Sequence, residues 1–203
     1  MIANFFYDCA IILLVIKMIN REEYLNKLIN WKDKDLIKVT TGIRRCGKSS
    51  LYEIYIEYLK ENGIDDNHII SINLESPDYE FANYKELYNF IKEKMTDDKM
   101  YYIFLDEVQN LPEFQKAVDG LYIKKNTDVY ITGSSAYLLS GELATLLSGR
   151  YIEIKMLPLS FKEYKEYLNE DGDEKLYLKY INNSSFPYAL KLEEESEIDD
   201  YLD

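Results

Sequence analysis

Histidine occurs once in this sequence, at His68, and cysteine only twice, at Cys9 and Cys46. One histidine excludes chemistry built on a histidine pair, and two distant cysteines match neither a metal-ligand spacing nor a disulfide framework. The cysteine usage points to a reducing, cytoplasmic setting. His68 opens a β-branched run and is assigned a structural role. Arginine is scarce as well: of 24 basic residues only Arg21, Arg44, Arg45 and Arg150 are arginines. Basic charge as a whole is outnumbered, with 37 acids and a net charge of -13, and residues 161–203 are the most acidic part. An acidic surface repels phosphate backbones, so a general nucleic-acid face is not expected. A membrane span is not expected either. The longest apolar run, residues 9–16 (CAIILLVI), is bounded by Asp8 and Lys17 and is too short to cross a bilayer. It reads as a surface or partner-binding helix, or as an extension ahead of a start at Met18. The second reading is favoured because helix signals begin just after Met18: Asn20 and Glu23 fit a capping box ahead of Tyr24, Leu25, Leu28 and Ile29.

What is present suits a globular fold. Apolar residues make up 47% of the 203, enough for a substantial core. Short β-branched or aromatic runs at residues 36–41, 69–74, 101–105, 129–132 and 151–156 alternate with helical spacing at 49–62, 84–95, 113–124 and 138–147. Strands alternating with helices imply an α/β protein with a parallel, doubly wound sheet. The run YYIFL at 101–105 is apolar throughout, as a strand buried on both faces requires. The tail beyond Ser160 reads as acidic helices.

Residues 42–49 read Gly-Ile-Arg-Arg-Cys-Gly-Lys-Ser, between the first strand and the first helix of this alternation. That is the P-loop pattern in its required setting. Wrapping an anion needs backbone N–H groups to converge without side-chain obstruction, and Gly42 and Gly47 permit the bend. The helix that follows points the positive end of its dipole at the phosphates. The nucleotide-binding set is Gly42, Ile43, Arg44, Arg45, Cys46, Gly47, Lys48, Ser49 and Ser50. Lys48 supplies charge to the β and γ phosphates, and Ser49 a hydroxyl to Mg²⁺. Cys46 is read as a small filler, with a redox-sensitive thiol as the alternative.

The third strand ends in Asp106-Glu107, a Walker B arrangement. Asp106 is assigned to Mg²⁺ and Glu107 to general-base activation of water. Gln109 and Asn110 either relay the state of the site or form a solvated loop. The nearest string to a guanine-specificity motif, Lys125 to Asp128, lacks its second lysine, which favours adenine. The fourth strand leads into Ser134 and Ser135. Either can reach the γ phosphate or attacking water, or can cap a helix beginning near Ala136. Arg150 precedes the fifth strand, as an arginine finger for a neighbouring subunit or as a helix-end residue satisfying carbonyls. Arg21 is expected to be solvated, with a place over the nucleotide base as the alternative. A phosphotransferase would need an arginine-rich lid, for which four arginines leave little.

Together the strings GIRRCGKSS, YYIFLDEVQN, VYITGSSAYLLSGELATLLSGRYIEI and LPLSFKEY resemble the prokaryotic AAA+-like ATPases that join an N-terminal ATPase module to a further C-terminal domain. The resemblance implies a three-layer P-loop fold of ASCE/AAA+ type, with five parallel strands in the order 5-1-4-3-2. It implies ATP and Mg²⁺ as ligands, Ser134 or Ser135 as sensor 1, and Arg150 in the finger position of a homo-oligomer. It sets an ATPase module at 18–168, with 1–17 outside the pattern and 169–203 beginning a shortened C-terminal region. Ser184 to Pro187 stands where relatives carry a Gly-Gly-Phe-Pro turn. The expected activity is Mg-dependent ATP hydrolysis serving as a switch or motor on a protein partner. The alternative is a module that binds ATP without hydrolysing it.

Overall fold

A computed structural model of the chain describes residues 19, 21–134, 147, 149–171, 174–182, 185–192 and 195–202. Five strands form one parallel sheet: β1 (Ile37–Gly42), β2 (Ile69–Asn73), β3 (Tyr101–Asp106), β4 (Thr127–Ser134) and β5 (Tyr151–Met156). Their spatial order is β2-β3-β4-β1-β5, the expected 5-1-4-3-2 read from the other edge. Alternation along the central strands explains why both faces need covering. Ile103 and Leu105 of β3 and Val39 of β1 enter one core, and Tyr102 and Phe104 enter the other. Helices α1 (Glu22–Trp31) and α2 (Lys48–Glu61) cover the second core with Leu28, Leu51 and Tyr55. Helices α3 (Tyr84–Lys94) and α4 (Phe114–Tyr122) cover the first with Leu87, Ile91, Phe114 and Leu121. Burying such side chains stabilises by roughly 1.5–3 kcal/mol each.

Local chemistry sets the boundaries. Asn83 caps α3 by accepting from the amides of Lys85 and Glu86. Strand β4 is longer than its apolar run, because Thr127 and Asp128 are polar yet belong to the sheet. Asp128 is buried against Lys38 of β1, with Lys38 Nζ 2.5 Å from Asp128 Oδ1. His68 lies in a 3-10 turn (Asp66–His68) just before β2 and not in the strand itself. Its Nε2 lies 3.1 Å from Asp97 Oδ2, and its ring packs 4.9 Å from that of Tyr101. The Asp97 carboxyl is held below the usual carboxylate range, first by the Lys99 amide and then by His68.

The chain divides into two compact units, one being Glu22–Pro158, with the sheet and α1 to α4. The other takes in Arg21 and the chain from Leu159 on. It holds α5 (Phe161–Leu168), α6 (Glu174–Asn182) and α7 (Glu195–Leu202). A capping box starts α5, where Ser160 accepts from the Glu163 amide and Glu163 accepts from Ser160 N–H. Phe186 caps a 3-10 turn at Pro187–Lys191, and Ser185 O accepts from Leu159 N–H at 2.7 Å. Arg21 corrects the sequence reading. It is buried, with Nε 3.0 Å from Glu163 Oε1, because the acid that completes the α5 capping box also offers it a carboxylate partner. Met18, Asn20, Ser184 and almost all of the helix expected at 138–147 lie outside the described residues. Among the described residues no helix is long and apolar enough to cross a membrane.

Candidate functional site

The site forms where the C-terminal ends of β1, β3 and β4 meet the start of α2. In a parallel sheet these ends line up, so side chains just past each strand converge. Gly42 of β1 stands opposite Ser134 of β4 and Met156 of β5. A Cβ on Gly42 would lie 2.6 Å from Met156 O and 2.7 Å from Cys46 Sγ, so the loop closes this tightly only with glycine. Gly47 caps α2 at φ 100°, a left-handed conformation that glycine adopts without strain. It carries no side chain to occupy the free amides of the first turn of α2, which remain available to an anion. Cys46 is fully buried beside Leu51 and Tyr52, while Ile43, Arg44, Arg45, Ser49 and Ser50 are exposed.

Lys48 is buried at 4% exposure, yet its ammonium makes only long contacts. Nζ lies 3.4 Å from the carbonyls of Gly42 and Ile43 and 3.6 Å from Glu107 Oε1. A phosphate oxygen at ordinary charge-assisted distance, about 2.8 Å, would be a stronger partner than any of these. Ser49 Oγ donates to Asp106 Oδ2 at 2.6 Å, which brings together the hydroxyl and the carboxylate assigned to the metal. Among the described residues there is no cluster of three or more His, Cys, Asp or Glu side chains able to hold an ion alone. Two protein oxygens with the remaining positions left to phosphate and water is the donor set that Mg²⁺ favours. The residues therefore fit Mg²⁺ with a nucleoside triphosphate.

Glu107 follows Asp106 in a left-handed conformation, φ 53°, costly for a residue with a Cβ. Two bonds hold it there. Its amide donates to Thr132 Oγ1 at 3.0 Å, and its Oε2 accepts from Gln109 Nε2 at 2.5 Å. Thr132 also donates to Asp106 Oδ1. One hydroxyl on β4 thus orients both acids. Thr132 is not among the residues the sequence singles out; its signal there is its place two residues before Ser134, on the same side of the strand. Asn110 is exposed.

Ser134 ends β4 beside Gly42, within the site's edge of the sheet, and Ser135 lies outside the described residues. Arg150 is elsewhere. Its carbonyl accepts from Ile37 N–H at the beginning of β1. It therefore stands a strand length, roughly 15–20 Å, from this chain's own Gly42. Its guanidinium lies 2.5 Å from Asp119 and over the Tyr122 ring, and is about half exposed.

Comparison with known proteins agrees with this fold. Residues 34–165 match the family described as AAA domain, and the chain belongs to that family. It is 46% identical over 184 residues to an uncharacterized protein of Haemophilus influenzae, a match covering 87% of this chain and 46% of that protein. It is 32% identical over 196 residues to an uncharacterized protein of Methanocaldococcus jannaschii, covering 89% of this chain and 41% of that one. The chain thus spans less than half the length of these relatives. Among solved structures, its fold is similar to a Walker-type ATPase of Pyrococcus abyssi (TM-score 0.57, 16% identity, 91% of this chain and 71% of that one). It is also similar to the ORC1 protein of Aeropyrum pernix, solved in complex with DNA (TM-score 0.60, 14% identity, 88% and 61%). A third is DnaA of Aquifex aeolicus bound to AMPPCP (TM-score 0.53, 14% identity, 85% and 58%). The chain is thus an AAA-domain protein by family, with the fold that these solved structures share.

Proposed function

We propose that this protein hydrolyses ATP in a Mg²⁺-dependent reaction at the P-loop and uses the cycle to switch or move a protein partner. The observation that carries the reading is the convergence of Lys48, Ser49, Asp106 and Glu107 on one strand edge, with the Glu107 carboxylate 3.6 Å from the Lys48 ammonium. A site built only to grip phosphate gains nothing from a second carboxylate there, since it repels the ligand. A site that must take a proton from water needs it.

Magnesium, when bound, neutralises charge on the phosphates. Ser49 and Asp106 hold it, and Asp106 is oriented for this by Thr132. The amides of the loop and of the first turn of α2 bind the phosphate oxygens, with Lys48 adding a cation. Glu107 accepts a proton from water as the water oxygen bonds to the γ phosphorus. The bond from that phosphorus to the β,γ-bridging oxygen breaks, and ADP leaves with the electron pair. Ser134 or Ser135 serves as the sensor of the γ phosphate. Arg150 is too far to serve its own site, and its exposed guanidinium suits a neighbouring subunit's ATP in a homo-oligomer. Adenine is supported by the AMPPCP-bound neighbour of the same fold.

Glu107→Gln tests the reaction. It keeps the shape and the bond from Gln109's neighbourhood but accepts no proton, so phosphate release is expected to fall about 100-fold or more with ATP affinity retained. Release at the parent rate would show that Glu107 is not the base. ATP bound by the parent chain with no phosphate released at any protein concentration would favour a non-hydrolysing module.

A further inference from the structure

Gln109 is the side chain of this site that has no assigned work. The 3-10 turn Val108–Asn110 folds it back toward Glu107, and its Nε2–H donates to Glu107 Oε2 at 2.5 Å. That bond settles the orientation of the amide, because turning it over would set an oxygen against a carboxylate. The opposite atom, Gln109 Oε1, is buried and has no hydrogen-bond partner among the described residues. A buried acceptor left without a donor is destabilising, and a folded protein retains few of them. Such an atom beside the base points to a donor that arrives with the reaction.

Water provides the match. A water whose oxygen faces the γ phosphorus directs both O–H bonds away from it and needs two acceptors. Glu107 is one: Gln109 occupies its Oε2, and its Oε1 makes only the long 3.6 Å contact with the Lys48 ammonium, which leaves it able to accept. We propose that Gln109 is a catalytic residue of this ATPase: its Nε2–H fixes the Glu107 carboxylate, and its Oε1 accepts the second hydrogen of the attacking water. Glu107 takes one proton, and the hydrogen held by Gln109 stays on the oxygen as it joins phosphorus. The role rests on Glu107 being the base. Asn110, next in the turn, is exposed and takes no part.

The test is Gln109→Met, which keeps the length and volume of the side chain and removes both polar atoms. Turnover number, KM, ATP affinity and melting temperature are measured beside those of the parent and of Glu107→Gln. The account expects kcat to fall about tenfold or more, with KM and ATP affinity within about twofold. The melting temperature is expected to change little, because the unpaired Oε1 and the bond to Glu107 Oε2 are removed together. A side chain that only braces Glu107 would give a lower melting temperature with kcat kept. Gln109→Glu adds a second variant, which retains an acceptor but loses the N–H and sets a like charge against Glu107. Its kcat is expected to fall as well. Parent turnover with kcat unchanged in Gln109→Met overturns the role of Gln109 and leaves Glu107 standing. A Glu107→Gln chain as active as the parent, or a parent that releases no phosphate, overturns both.

Discussion

At the scale of single residues, the site depends on the hydroxyl of Thr132. Thr132 donates to Asp106 and accepts from the amide of Glu107, so it fixes the proposed metal carboxylate and the proposed base together. Thr132→Val preserves shape and β-propensity but removes both bonds. The Glu107 amide is then left unpaired in a conformation, φ 53°, that needs support. The expected cost is about 1–3 kcal/mol in stability, with ATP binding weakened in the presence of Mg²⁺ and little changed in its absence. Thermal unfolding and ATP titrations with and without the metal check this. Equal effects in both titrations would separate Thr132 from the metal carboxylate. Arg21 shows a limit of reading residues one at a time. Its neighbours in sequence are polar, and only the fold supplies Glu163, some 140 positions away, to bury it against.

Among the elements, the pairing of β1 with β4 is the most demanding. Both strands run through the centre of the sheet, and both carry a charged residue into the core. Lys38 and Asp128 meet there at 2.5 Å, and Lys38 Nζ also donates to Lys34 O. Asp128 in turn accepts from Asp33 N–H and from the Tyr130 hydroxyl, which bonds that of Tyr55 on α2. Burial pushes the Asp128 carboxyl up from its ordinary range, and the attraction of Lys38 opposes that. Lys38→Met removes the opposition and strands a buried carboxylate, so a loss of about 3–5 kcal/mol is expected. The sign of its pH dependence follows. A carboxyl raised further in the folded state keeps its stability below the unfolded pKa, about 4, and loses it as pH rises through the folded value. The deficit of Lys38→Met relative to the parent is therefore expected to grow as pH rises above about 4. Chemical denaturation across that rise measures it, and a constant deficit would contradict the assignment.

This pair also explains which elements the sequence makes legible. Strands β3 and β5 announce themselves, β3 by continuous apolar residues and β5 by its own alternation. Strand β4 shows only its apolar middle, because its first residues are polar for reasons held in another strand. The P-loop and the acidic pair are legible because phosphate chemistry demands fixed spacing over a few residues. Thr132 and Gln109 are harder to see. Their importance lies in hydrogen bonds to backbone and carboxylate, and a lone threonine or glutamine carries no spacing that records such bonds.

Over the whole molecule, the proposed hydrolytic site and the proposed arginine finger lie at opposite ends of the sheet. The C-terminal ends of the strands gather Lys48, Ser49, Asp106, Glu107 and Ser134, and the beginning of β5 presents Arg150. A parallel sheet makes that separation unavoidable, since β1 and β5 run the same way. If Arg150 acts on ATP at all, it acts on another chain's, which makes assembly part of the proposed cycle. The acidic surface, with net charge -13, would need close packing of such chains to be assisted by bound cations or by the ligand itself.

All of this depends on phosphate being held at Gly42 to Ser49. Calorimetric titration with ATP and Mg²⁺ of the parent chain and of Lys48→Ala tests that point most directly. The account predicts one site per chain in the parent and an affinity about 10- to 100-fold weaker in Lys48→Ala, the loss expected when a charge-assisted contact to phosphate is removed. Equal affinities in the two proteins would contradict it.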